Sequence, residues 1–140
     1  MAFADTIQGL ASRANVKVVR QSESYVQCVM GLPGGRTQMI HLLEGGDLAR
    51  HQVVRISTPV TELPPGALPA EVAEGLLKAN STFKIGAFEI VEQGGKRILM
   101  FSHNMILDRL EPDELVLILA ALATTGDEWE KKLGSGADVF

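Results

Sequence analysis

Three glycine pairs, Gly34-Gly35, Gly45-Gly46 and Gly94-Gly95, cut this chain into short runs of strand-forming residues. A crossover between parallel strands needs a dozen or more residues, so runs joined by links this short must pair antiparallel. The runs themselves are Tyr25-Val26-Gln27-Cys28-Val29-Met30, then Thr37 to Leu43, then His51 to Val60. In the third, Val54, Ile56, Thr58 and Val60 fall on one face and Val53 on the other. Glu44-Gly45-Gly46-Asp47 is expected to close the second run. Val16-Lys17-Val18 alternates and predicts one small extra strand. Phe83 to Val91 and Arg97 to Met105 form a second hairpin across Glu92-Gln93-Gly94-Gly95-Lys96.

Three segments have helical spacing instead. Phe3, Ile7, Leu10 and Ala11 make one apolar stripe near the N-terminus. Thr61 to Pro69 is a proline-rich surface link. A central helix follows from Pro69 or Ala70, with Val72, Ala73, Leu76, Leu77 and Asn80 sharing a face. Gly75 inside it costs about 1 kcal/mol relative to alanine. The last helix opens at Glu111-Pro112-Asp113-Glu114, with proline and acids in its first turn. Leu115, Ile118, Leu119, Leu122, Gly126, Trp129 and Leu133 line its core side. Asp127/Lys131 and Glu128/Lys132 are expected as pairs on the outside, and Gly134 as the stop. The order α-β-β-β-α-β-β-α predicts an α+β fold, an antiparallel sheet carrying helices, in a single domain over residues 1–140.

Composition narrows the function classes. Thirteen basic residues against seventeen acidic ones give a formal charge of -4, with no basic stripe and 5% aromatics. That argues against a nucleic-acid partner, which needs clustered cations or stacking platforms. Asp5 and the lack of an early basic cluster do not fit a signal peptide. The nine-residue apolar run Leu115 to Ala123 is too short for a bilayer, which needs about twenty, so no membrane insertion is expected. A cytoplasmic protein is the expectation.

The chemistry-bearing residues are sparse. His41, His51, His103 and Cys28 show no ligand spacing, so no metal and no cofactor are expected. Cys28 lies in an apolar strand, where a thiol is inert. Gly31-Leu32-Pro33-Gly34-Gly35-Arg36 lacks the Lys-Ser/Thr of a phosphate loop, and a strand follows it rather than a helix. There is no nucleophile elbow, and a strand points Ser102 and His103 to opposite faces. No catalytic residue is named and no enzyme is expected.

Surplus apolar surface remains. The run Leu115 to Ala123 is apolar all round and needs cover on more than one side. Either the N-terminal helix supplies it through Phe3, Ile7 and Leu10, or a second subunit or partner does. Leu115, Ile118, Leu122 and Trp129 are therefore candidates for core or partner contact. A two-fold contact on the central helix would let one patch cover itself.

The second half also carries a resemblance. Leu76-Leu77-Lys78-Ala79-Asn80, Gly86-Ala87-Phe88-Glu89-Ile90, Arg97-Ile98-Leu99-Met100-Phe101 and the helix from Pro112 to Leu133 resemble the type III secretion chaperone-like superfamily. That group includes the CesT-type chaperones and the YbjN-like proteins. The likeness covers residues 68–133. It implies a small homodimer without catalytic residues that binds a client protein segment, or a YbjN-like regulatory or small-ligand-binding domain. It also implies a dimer contact on the central helix, with Val72, Ala73, Leu76, Leu77 and Asn80 as candidates.

Overall fold

Apolar residues recur at alternate positions along the strands, and that alternation decides which sheet face the helices cover. The structure is a computed structural model and describes residues 2–134. Its elements are α1 (Phe3–Arg13), β1 (Val19–Ser22), β2 (Tyr25–Gly31), β3 (Thr37–Leu48), β4 (His51–Leu63), α2 (Ala70–Asn80), β5 (Ala87–Gln93), β6 (Lys96–Ile106) and α3 (Pro112–Gly134). The strands form a six-stranded sheet in the order β1-β2-β3-β4-β6-β5, with every neighbouring pair antiparallel. This is the expected α+β class.

One face of the sheet holds the core. Val26 and Cys28 on β2, Ile40 and Leu42 on β3, Val54, Ile56 and Val60 on β4, and Leu99 and Phe101 on β6 are buried there. Against them lie Leu115, Ile118, Leu119, Leu122 and Ala123 of α3 and Phe3, Ala4, Ile7, Leu10 and Ala11 of α1. Burying each large aliphatic side chain contributes about 1.5–3 kcal/mol, which outweighs the weak intrinsic stability of an 11-residue α1. The N-terminus of α3 is closed by the Glu114 carboxylate, which accepts the Glu111 N–H at 3.0 Å.

Gly126 sets how close α3 comes to the sheet. A Cβ there would stand 2.7 Å from the Thr58 methyl carbon. Beneath it the Gln38 amide donates to Thr58 Oγ1 at 2.8 Å and to the Pro59 carbonyl at 3.0 Å, while the Thr58 hydroxyl donates to the Met39 carbonyl at 2.7 Å. Burial of Gln38 and Thr58 is tolerated because their polar atoms are paired. Further along, Arg36 Nε donates to Asp127 Oδ1 at 2.7 Å and ties the β2–β3 turn to α3. Trp129 is half-buried rather than sealed in the core. It caps an edge-to-face cluster through Phe88, with ring centroids 4.9 Å apart; Phe83 and Phe101 complete that cluster.

Several expectations need correction. The extra strand lies at Val19–Ser22, after Val16-Lys17-Val18. Gly45-Gly46 does not end β3. It is a bulge, with the register shifting between Glu44 and Asp47, and the strand continues to Leu48. The turn is at Ala49 and Arg50, both with positive φ (48° and 74°). β4 runs on to Leu63, inside the proline-rich link. β5 starts at Ala87, not Phe83: Gly86 has φ 90°, and a Cβ there would meet the Phe101 ring at 2.5 Å. Asp127 is buried against Arg36 as well as 3.4 Å from Lys131, so it is not on the outer side. The run Leu115 to Ala123 is covered by the sheet and α1, but Leu117 stays 60% exposed. The expected stop at Gly134 falls at the limit of the described residues. No helix among the described residues is long and apolar enough to cross a membrane.

Gly126→Ala should lower stability by about 1–3 kcal/mol, against the usual gain for alanine in a helix, because its methyl meets Thr58. Thr58→Ser in the same chain should recover part of that loss, as read by urea unfolding. A second expectation concerns acid. The hydrogen bond from Arg36, then that from Lys131, holds the Asp127 carboxyl below its ordinary range, against the opposing effect of burial. A depressed native pKa stabilises the fold above the unfolded value of about 3.9 and is lost as pH falls through the native one. The stability gap between the parent and Asp127→Asn should therefore be flat above roughly pH 5 and close at lower pH.

Candidate functional site

Two uncovered surfaces stand out, and the first depends on β5 being the last strand of the sheet. The first is a groove between α2 and β5. Leu76 turns inward and is 7% exposed, while Leu77, one residue on and about 100° round the helix, is 70% exposed. Leu68, Ala73, Leu77, Phe88 and Ile90 line an apolar cavity of about 260 Å³, and Ile90 is 41% exposed.

Asn80 anchors α2 to this edge. Its Oδ1 accepts the Phe88 N–H at 2.7 Å, and its Nδ2 donates to the Phe88 carbonyl at 3.3 Å. Those Phe88 groups therefore point away from β6. By the antiparallel alternation, the N–H and C=O of Ile90 and Glu92 point the same way. Asn80 fills the first slot of the edge, so a long added strand is blocked there, while Ile90 remains open beside Leu77.

The central-helix stripe is thus divided. Leu76 belongs to the core, Asn80 is committed to Phe88, Val72 and Ala73 are half-buried, and Leu77 alone of the five is fully exposed.

The second surface is the sheet face opposite α1 and α3. The register brings Val29 beside Met39, Leu43 beside Arg55, and Met100 between Pro59 and Glu89 on that face, with Ile98 beside Val91. Ser57 and Ser102 lie opposite each other at its centre and are buried beneath the longer side chains around them. A shallow cavity of about 480 Å³ results, lined by Tyr25, His41, Arg55, Ile98 and Met100 among others.

Several polar groups of this face are paired with one another. Gln27 Nε2 donates to the Tyr25 hydroxyl oxygen at 2.5 Å, and that hydroxyl reaches His41 Nδ1 at 2.5 Å. Burial pushes the His41 imidazole below its usual pKa. Arg55 forms an ion pair with Glu89, and the Ser102 hydroxyl donates to the same Glu89 oxygen at 2.9 Å.

The remaining titratable groups are dispersed. His51 Nδ1 meets Asp108 Oδ2 at 2.7 Å on the surface, and this contact holds the Asp108 carboxyl below its ordinary range. His103 Nδ1 accepts the Gly86 N–H at 3.2 Å, while Ser102 faces Glu89, so the adjacent pair diverges as the strand requires. Burial lowers the His103 pKa and raises that of the Cys28 thiol. Among the described residues, no three His, Cys, Asp or Glu side chains gather where they could hold a metal.

Sequence reasoning marked Leu77 as a dimer-contact candidate and named no residue of the open sheet face as one. A signal for the face was present: Val29, Met39, Leu43, Ile98 and Met100 are apolar at positions alternating with the core residues. A strand apolar at both parities is buried on both sides.

Asn80→Ala should cost about 1–3 kcal/mol by stranding the Phe88 N–H and C=O, and should speed hydrogen exchange at the Phe88 amide. Unchanged exchange would mean that α2 is held by its leucines alone. No protein-family model matches this chain, and no curated protein matches it.

Proposed function

We propose that this chain is a non-enzymatic protein-binding module that works as a homodimer and holds a segment of a client protein, in the manner of the type III secretion chaperone-like superfamily. The observation that carries the reading is a sheet covered by helices on one face only, whose other face sets the exposed Val29 and the half-buried Met39, Leu43, Ile98 and Met100 around a polar centre. Exposed aliphatic surface of this kind marks association sites in small domains. The element order is compatible with it: the order α-β-β-β-α-β-β-α read from the residue pattern is present, with β1 added. The groove at Leu77 and Ile90 suits one or two apolar anchors of an extended client segment, with main-chain bonding at Ile90. The second reading, a YbjN-like regulatory or small-ligand-binding domain, draws on the sheet-face cavity of about 480 Å³, which lies in the range of small-molecule sites.

Light scattering at micromolar concentration should give a mass near twice 15.1 kDa. A mass near 15.1 kDa would sink the homodimer. A labelled extended peptide with leucine at alternate positions should bind the parent, and Leu77→Glu should weaken it at least about tenfold, since a carboxylate in an apolar groove loses its water. Equal affinity for parent and variant would remove the groove from the proposal.

A further inference from the structure

Two surfaces compete for the second copy, and their sizes differ. At the groove, exposed apolar area comes from Leu77 and Ile90 with small additions from their neighbours. Two aliphatic side chains make a hot spot for a segment, well short of the 800 Å² or so per partner in a standard stable interface. The open face is larger. Strands β2, β3, β4, β6 and β5 lie side by side, and the shortest of them have seven residues. At about 4.8 Å between strands and about 3.3 Å per residue, they present roughly 500 Å² in projection, and side-chain relief raises the accessible area toward the standard size.

Several polar groups near the centre of the face are paired within the protein. Arg55 and Glu89 cancel, with Ser102 bonded to the same carboxylate. Gln27, Tyr25 and His41 form a chain of hydrogen bonds, and His41 is driven toward its neutral form. Pairing of this kind lowers the desolvation cost of these groups relative to the same groups left single. Around this centre stand the exposed Val29 and the half-buried Met39, Leu43, Ile98 and Met100. A second copy presents the same paired centre and the same apolar surround, so a two-fold contact sets apolar against apolar.

From these observations we infer that the second copy seats on the open sheet face, sheet against sheet across a two-fold axis, and that the α2–β5 groove is left free for the client. This assignment rests on the homodimer reading above. Two packed sheets stand about 10 Å apart with interdigitating side chains, which suits the methionines at positions 39 and 100.

The test is light scattering of the full chain and three variants. Met100→Glu places a charge at the middle of the face. Val29→Glu places one at its margin, on a side chain already 57% exposed, so folding does not depend on it. Leu77→Glu serves as the contrast. The inference expects Met100→Glu and Val29→Glu to raise the dimer dissociation constant on the order of a hundredfold and tenfold, with parent-like far-ultraviolet circular dichroism, while Leu77→Glu stays dimeric. If Leu77→Glu becomes monomeric and the sheet-face variants do not, the homodimer stands but its contact is the central helix, and this assignment is overturned. Dimers in all three variants also overturn it. A monomeric parent overturns the homodimer itself, and the seat of the second copy with it.

Discussion

The seating of α3 on the sheet at Gly126 is the contact on which the other packing depends. With no side chain at that position, the helix backbone comes down onto the Thr58 methyl, and the flanking leucines reach the strands. The same approach shields Gln38 and Thr58, whose hydrogen bonds tie β3 to β4. It also brings Asp127 within reach of Arg36 and lets Trp129 close the phenylalanine cluster against Phe88. A helix held farther out would loosen all of these at once, because interiors are close-packed and a gap forfeits dispersion contacts on both sides.

With α3 and α1 on one face, the geometry of the rest is constrained. α2 has no room over the sheet centre and lies at the β5 edge, held by Leu76 and by the two hydrogen bonds of Asn80. An edge strand normally presents a free ladder to any passing strand. Here Asn80 occupies part of it, so the edge offers a short opening at Ile90 instead. The residues that specify the fold at this edge therefore also limit what can bind there.

How much of this was legible depends on the range of the interaction. The stripes of α1 and α3 are local periodicities, and both helices lie where those stripes put them. Glycine pairs are less specific. They signal positive φ, which a turn at Gly94-Gly95 and a bulge at Gly45-Gly46 both require. The real β3–β4 turn uses Ala49 and Arg50, which carry no such signal. Arg36 and Asp127 meet across 91 residues of sequence, so local spacing assigned the carboxylate to Lys131 alone. In the candidate site, Leu76 and Leu77 are chemically the same, and only the position of β5 decides that one is core and the other surface.

The open sheet face raises a different point about pairing and solvent. A face meant for water can leave its charged groups singly solvated, because water satisfies each one at little cost. On this face the ion pair and the Tyr25–His41 chain are closed within the protein, although water could reach them. Such pairing immobilises long side chains and gains little at an exposed site. It gains more where water is later excluded, since the lower dielectric strengthens each bond and the unpaired alternative becomes costly. The side-chain chemistry of the face is thus better matched to a covered state than to an open one. Both α1 and α3 lie on the other side, and a second copy seated as inferred above would supply that cover.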